Sequence, residues 1–390
     1  MKQIAIIGRE RNLALAELET VFGVVETILD DVVAIKDENG TSIDRLGSVI
    51  KIGKIVATTQ DMFKLESLIT AELERQVLED KKTSIDFGVS IYADKYNPKD
   101  YRRLVINIKK LLQKSKIKSR FVLPKSLQLN AAQVKHNKLL RKGSEIMVII
   151  SDRTITIAKT EQIQNIDSYS LRDFGRPNRN MQVGMFPPKL AQIMLNLAQA
   201  EESTTIYDPF CGSGVVLQEA MLTGRVVWGS DIAEKMVRAS VENIHWLQNE
   251  YRIDGEFKVF EADATKLDKT PDNKYSIVTE GYLGKMYSQT VTSDEIAIQK
   301  SELSKIYLGF LDKIISLEQT PESVVITIPC WQTKSGLEAL NIIDQIEKLG
   351  YTIKQFKSVR TLDLIYKREK QVVGRQILVL RPKNSIKKGK

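Results

Sequence analysis

Residues 205–220 read Thr-Ile-Tyr-Asp-Pro-Phe-Cys-Gly-Ser-Gly-Val-Val-Leu-Gln-Glu-Ala, and no other stretch of the chain limits the fold as strongly. An apolar, strand-like run enters a turn with two glycines, and a helix-forming run leaves it. Gly212 and Gly214 let the backbone come close to a ligand, and the start of a helix offers free amides to it. The spacing is not the Gly-x-Gly-x-x-Gly of dinucleotide sites. No Lys-Ser/Thr follows, as a Walker-type phosphate loop requires.

Three further strand-like runs follow at βα spacing. Residues 226–230 end in Asp231, the position at which a Rossmann-like fold holds ribose hydroxyls. Residues 257–260 lead into Glu261-Ala262-Asp263, and residues 275–279 into Glu280-Gly281-Tyr282-Leu283-Gly284. A single acid of this kind is more often a helix cap than a ligand. Several in order at the C-terminal ends of successive strands mark the ligand crevice of an open parallel sheet. Residues 186–384 are therefore expected to form an α/β, Rossmann-like domain, opened by the helix start at Pro187-Pro188. The runs 359–366 and 376–380 are expected to pair as the antiparallel hairpin that closes its sheet.

Composition excludes several other classes. With 42% apolar and 27% charged residues the chain is ordinary for a globular protein, and no apolar run is long enough to span a membrane. Residues 1–9 read as a first strand rather than a signal peptide. Two cysteines, Cys211 and Cys330, in 390 residues exclude a disulfide framework and a cysteine-based zinc site. The expected compartment is the reducing cytoplasm. His136 and His245 have no partner at metal-ligand spacing and read as structural or surface residues, so no metal is expected.

Charge is unevenly placed. Residues 95–142 carry 15 Lys and Arg against the single acid Asp100, more than the whole chain's net charge of +9, so the remainder is net acidic. A solvated lysine-rich face would look the same, but a concentrated excess suits a polyanion, because each neutralised phosphate releases counterions. Within the segment, residues 101–115 form an amphipathic helix with Leu104, Ile108, Leu111 and Leu112 inward. Arg102, Arg103, Lys109, Lys110 and Lys114 face outward, and Lys135 belongs to a short helix further on. These six are the candidate polyanion contacts.

The N-terminal part alternates short strands and helices. Residues 1–82, with strands at 3–8, 25–35 and 52–58 and helices at 13–22, 43–50 and 65–78, suit a ferredoxin-like α+β domain with helices on one face of an antiparallel sheet. Residues 83–160 form a second α+β unit, whose last strand pair turns through Asp152-Arg153. Residues 161–185 read as an ordered linker, and 385–390 as a basic tail.

The motifs resemble a known family. Asp208-Pro209-Phe210-Cys211-Gly212-Ser213-Gly214 is similar to the glycine motif of class I S-adenosylmethionine methyltransferases, in the form used by RNA guanine-N2 methyltransferases. Arg172-Asp173, Arg176-Pro177 and Gly184 to Ala191 are similar to the segment preceding it in the tRNA guanosine-10 N2-methyltransferase family. Ile7-Gly8-Arg9 with Leu13 and Ala16-Glu17-Leu18 matches that family's opening, and the basic unit resembles the THUMP RNA-binding module. The resemblance implies tRNA as partner, which makes the six candidate polyanion contacts RNA contacts, and S-adenosylmethionine as cofactor. It implies that Asp208, Gly212 and Gly214 shape the methionine end of the cofactor pocket, with Phe210 in the same loop. Asp231 would take the ribose and Asp263 the adenine amino group, while Phe186, Pro187 and Lys189 would close the pocket.

At the fourth strand the chain departs from the family's Asp/Asn-Pro-Pro-Tyr/Phe. Thr279 stands at the acid position, Glu280 and Gly281 at the prolines, and Tyr282 at the aromatic. The exocyclic amine of guanine is conjugated and weakly nucleophilic, so a carboxylate and a carbonyl must orient it while an aromatic ring stacks on the base. Glu280 is the candidate carboxylate, Gly281 the candidate carbonyl and Tyr282 the candidate ring. Other readings stay open: a non-catalytic RNA-binding homologue, an rRNA or DNA amino-methyltransferase, and, poorly matched by the glycine spacing, a nicotinamide-dependent dehydrogenase.

Overall fold

The computed structural model describes residues 2–152, 154–179, 186–285, 287, 292–369 and 371–383. Arg153, the Gly184-Met185 part of the segment before Phe186, and the basic tail lie outside the described residues. The chain divides into two units, residues 1–11, 22–45 and 49–166, and residues 12–21, 46–48 and 167–390.

The first unit is built on strands β1 (Lys2–Ile7), β2 (Glu26–Leu29), β3 (Val32–Lys36), β4 (Val49–Thr59), β5 (Ser84–Tyr92), β6 (Lys118–Phe121), β7 (Gly143–Ser151) and β8 (Thr154–Ile163). They form a single sheet in the order β2-β3-β1-β4-β8-β7-β5-β6. Pairing is antiparallel except that β5 runs parallel to both β6 and β7. The two regions expected as separate domains at 1–82 and 83–160 thus share one sheet through the β4–β8 ladder. That pairing joins strands far apart in sequence, which local periodicity does not reveal. The expected strand at 25–35 is a hairpin of two strands, and the expected helix at 43–50 shrinks to one tight turn, Ile43–Arg45.

Helices Leu65–Glu79 and Pro98–Lys114 bury Ile69, Leu73, Leu104, Ile108 and Leu112 against Phe87, Val89 and Ile157. The second of these starts where Asn97 accepts the Lys99 amide at 2.9 Å and proline takes the first helical position. Under the sheet Lys51 is 1% exposed and pairs with the fully buried Glu145, which also accepts from Ser90 at 2.5 Å and Thr160 at 2.8 Å.

The second unit takes in residues 12–21 of helix Arg11–Phe22, which ends at Gly23 with φ +78°. Its Leu13 and Ala16 pack with Leu190, Ile193 and Met194 of helix Pro188–Ala198. Glu17 is fully buried there, accepting from the amides of Gly47 and Ser48 at 2.9 Å each and from Asn196 at 2.7 Å. Burial raises its pKa, against the pull of those donors.

The sheet of this unit comprises β9 (Thr205–Asp208), β10 (Val227–Asp231), β11 (Phe257–Glu261), β12 (Tyr275–Glu280), β13 (Val324–Thr333), β14 (Gly336–Ala339), β15 (Tyr351–Ile353), β16 (Ile365–Tyr366) and β17 (Val373–Pro382). The order is β11-β10-β9-β12-β13-β17-β15, with β14 on β13 and β16 on β17. Strands β9 to β13 are mutually parallel, and β17 is antiparallel to both β13 and β15. Central strands β9 and β12 are buried along nearly their whole length, as expected where helices cover both faces. The expected closing hairpin is present as β16–β17, but it is two residues deep on β16, and β15 supplies the outer strand. From β9 the chain winds outward through β10 to β11, then returns to place β12 on the other side of β9. That reversal opens a crevice beyond the strands' C-terminal ends.

Candidate active site

A cavity of about 700 Å³ occupies this crevice, its wall formed by the ends of β9, β10 and β12, the loop after β11 and the helical residues Met236 and Ile306. Its volume lies within the usual range of small-molecule sites, and its lining is mostly apolar with a few carboxylates.

The β9 turn forms one side. Asp208 ends the strand, 2% exposed, and its Oδ1 accepts from the Thr279 hydroxyl at 2.6 Å and the Phe210 amide at 3.1 Å. Burial pushes this acid up to about 7, against those donors. Asp208 therefore braces the turn from beneath rather than lining the cavity. Phe210 does line it, held edge-on against Phe310 at 5.3 Å between ring centroids. Gly212 has φ +51°, and a Cβ there would meet nothing within 4 Å, so the backbone is bare towards the cavity it lines. Gly214, at φ +77°, serves packing: a Cβ there would lie 2.3 Å from Ser240 Oγ. Cys211 is buried and its thiol is pushed up by burial, which leaves it unsuited to nucleophilic work.

Asp231, at the tip of β10, accepts the Gly212 amide on Oδ2 at 3.0 Å and the Ala233 amide on Oδ1 at 2.9 Å. One backbone donor on each oxygen fixes the carboxylate and leaves each oxygen a further acceptor position, which suits a vicinal diol. Asp263 accepts the Thr265 amide at 2.9 Å and hydroxyl at 2.7 Å, and Lys266 lies 3.3 Å from its other oxygen. It caps a short turn and lines the cavity at once; the Thr265 hydrogen bonds hold its pKa below the usual carboxylate value.

The β12 end forms the opposite side. Thr279 is fully buried and bound to Asp208, so the residue at the expected acid position does not reach the cavity. Glu280 does, with its Oε1 accepting from Nε of Arg375 on β17. Burial raises the Glu280 pKa and Arg375 opposes the shift. Gly281 and Tyr282 follow on the wall, the Tyr282 side chain at the mouth of the cavity and 52% exposed. The Tyr307 hydroxyl, with one proton to give, lies 3.0 Å from the Tyr282 carbonyl and 3.1 Å from that of Thr327, so this loop is tied down.

Phe186 is not in the wall. It is 6% exposed and packs in the core beside Leu190 and Val215. Lys189 sets its ammonium 5.2 Å from the centroid of the Tyr169 ring, so neither closes the cavity as the resemblance implied. Conversely, Ile232, Met236, Ala262, Ala264 and Thr265 line it and were not singled out from sequence. Their signal was adjacency: each lies within five residues of Asp231 or Asp263. Arg375 had no signal of that kind.

In the first unit Arg102, Arg103, Lys109, Lys110, Lys114 and Lys135 are all exposed. Lys109, Lys116 and Lys118 border a shallow cleft of about 420 Å³.

Strand order, reversal point and cavity together define a Rossmann-like α/β domain with a ligand crevice at its switch point. Residues 176–296 match the family model UPF0020, the RMKL-like methyltransferase domain. The chain is 36% identical over 167 residues to the tRNA (guanine(10)-N2)-dimethyltransferase of Methanothermobacter thermautotrophicus, a stretch covering 42% of this chain and 44% of that protein. It is 34% identical over 138 residues to the protein of the same name from Pyrococcus abyssi, covering 35% and 37%. The matched stretch thus spans less than half the length of these curated relatives. Among solved structures, TrmN from Thermus thermophilus is similar over 98% of this chain and 100% of its own, with a TM-score of 0.52 at 16% identity. SMU.472, assigned as a methyltransferase and solved with SAH, gives a TM-score of 0.50 at 12% identity over 98% and 97%. At such identity these structures establish the fold.

No helix among the described residues is long and apolar enough to cross a membrane. Among them, no group of three or more His, Cys, Asp or Glu is arranged to hold a metal.

Proposed function

We propose that the chain is an S-adenosylmethionine-dependent tRNA methyltransferase acting on the exocyclic N2 of a guanosine, at position 10 by similarity to its relatives, and working in the cytoplasm. The observation that carries this reading is that one cavity joins two sets of residues. Gly212, Asp231 and Asp263 stand on one side, and Glu280, Gly281 and Tyr282 on the other. The first set fits the cofactor: a bare glycine backbone, a diol acceptor, a second carboxylate and an apolar wall from Ile232, Met236 and Ala264 for a flat base. S-adenosylmethionine, when bound, supplies an electrophilic methyl group.

The chain's own residues do the positioning. Asp231 holds hydroxyls through two fixed oxygens. Glu280 offers its second carboxylate oxygen, and Gly281 its carbonyl, to the two protons of the exocyclic amine. The half-exposed Tyr282 ring presents a face on which the base stacks. In-line transfer from such a complex requires orientation and acceptor groups rather than a covalent intermediate.

The exposed cations of helix Pro98–Lys114, with Lys135, are the proposed grip on the RNA backbone, and residues 83–160 the proposed THUMP-like module. Mass analysis of tRNA nucleosides after loss of the gene tests the assignment. Loss of N2-methylated guanosine supports it, and an unchanged nucleoside profile refutes it.

A further inference from the structure

The β12 carboxylate does not stand alone. Arg375 comes from β17, 95 positions further along the chain, and its side chain is 4% exposed. Its Nε donates to Glu280 Oε1, while the Glu280 side chain remains 24% exposed to the cavity. A buried guanidinium whose acidic partner among the described residues is Glu280 alone is a costly arrangement unless the pair has a use, since two desolvated ions rarely improve on apolar packing. Among the described residues Arg368 also acts on Glu280, and Glu280 is electrostatically coupled to Asp208 and Tyr307. Arg368 favours the ionised carboxylate, and Asp208 disfavours it when itself ionised.

We infer that Arg375 is a positioning residue for the transfer reaction, keeping the Glu280 carboxylate ionised and holding it by one oxygen so that the other is aimed at the target amine. The inference rests on the functional reading above. It explains how a glutamate, with one more rotatable bond than aspartate, serves where a shorter acid or amide is otherwise placed. The guanidinium fixes the longer arm, as only a planar, permanently charged group does well. A carboxylate so paired is a good acceptor and a poor base. That suits this transfer: as the N–C bond forms and the sulfonium S–C bond breaks, the methylated amine becomes strongly acidic, and even a weak base such as the Glu280 carboxylate or solvent water takes its proton.

The test separates this role from mere support. Arg375→Gln and Arg375→Lys are compared with the intact protein by thermal melting and S-adenosylmethionine binding, to establish that each folds. The Glu280 carboxyl is then followed by carbon-13 NMR across pH, without substrate. In Arg375→Gln the effect of burial is opposed by Arg368 but no longer by Arg375, so Glu280 should protonate at higher pH than in the intact protein, with Arg375→Lys in between. The acidic limb of the methyl-transfer rate should move to higher pH in the same order, with Kd for the cofactor unchanged. Identical titrations of Glu280 in all three proteins overturn the inference. So does a shifted titration with a pH–rate profile that merely drops in height. If the intact protein binds cofactor yet methylates no RNA while the titration shifts, the functional reading fails, and with it the role assigned to the pair.

Discussion

Tyr307 occupies the space that a side chain at position 281 would need: a Cβ on Gly281 would lie 2.3 Å from Tyr307 Cε1 and 2.5 Å from its hydroxyl oxygen. Tyr307 is fully buried, and its hydroxyl is spent on backbone carbonyls, so it has nowhere to retreat. The glycine in the Thr-Glu-Gly-Tyr motif is thus matched to a residue on helix Ser293–Ser316. A proline at 281 would collide in the same way. The departure from the Pro-Pro form is a repacked wall, braced by an aromatic ring instead of a pyrrolidine.

Gly281→Ala should therefore destabilise the protein by about 1–3 kcal/mol through overpacking. Combined with Tyr307→Leu the cost should be less than the sum of the two single changes, because the truncated side chain leaves room for the methyl group. Denaturant midpoints of the four proteins in the cycle measure this, and strict additivity would show that the two residues do not compete for space.

Asp231→Ala should weaken S-adenosylmethionine binding by roughly tenfold to a hundredfold, the worth of charge-assisted hydrogen bonds at about 1.5–3 kcal/mol. Asp263→Ala should cost less, since that carboxylate is already engaged by Thr265 and Lys266. Isothermal titration calorimetry on each variant reads the difference. The opposite ranking would contradict the assignment of the diol to Asp231.

Asp208 predicts a pH dependence of stability. Its pKa is raised to about 7 in the folded protein by burial, so the protonated acid is favoured by folding. The associated stability is full below the unfolded value of about 4 and is lost as pH rises through the folded one. Asp208→Asn keeps an acceptor for Thr279 without a charge. The wild type should lose stability relative to this variant between about pH 4 and about pH 7. Melting temperatures that run parallel over that range would contradict the raised pKa.

Much of the cavity was legible in sequence. Gly212, Asp231, Asp263 and Glu280, which line it, and Asp208, which braces it from beneath, each end or follow a strand whose apolar run is short and sharply bounded, and βα spacing orders them without any long-range information. What escaped depended on contacts between distant segments. Thr279 turned inward because Asp208, 71 positions away, gave its hydroxyl a buried partner. Phe186 was drawn into the core by Leu190 and Val215. Arg375 reaches Glu280 from another strand, and the β4–β8 ladder fused two regions whose periodicities look independent. Helix Arg11–Phe22 reads as part of the first sheet's covering, yet Leu13 and Ala16 pack with Leu190 in the second unit. Amphipathicity says that a helix has a partner and is silent on which.

Replacing Lys109, Lys110 and Lys114 with Glu should weaken RNA binding and reduce the slope of log affinity against log salt by about 2–3, as three phosphate contacts are lost. Binding titrations at several salt concentrations measure both quantities. Unchanged affinity would remove helix Pro98–Lys114 from the RNA interface.

The proposed function requires the cofactor side and the base side to work as one cavity. The most direct measurement is tritium transfer from S-adenosylmethionine to unmodified tRNA by the intact protein, with Glu280→Gln and Tyr282→Ala alongside and the product nucleoside identified. Transfer to guanosine N2 by the intact protein, reduced by at least about tenfold in each variant while cofactor binding is retained, is the predicted result. Intact protein that binds S-adenosylmethionine but labels no RNA, or variants as active as the intact chain, would contradict the account.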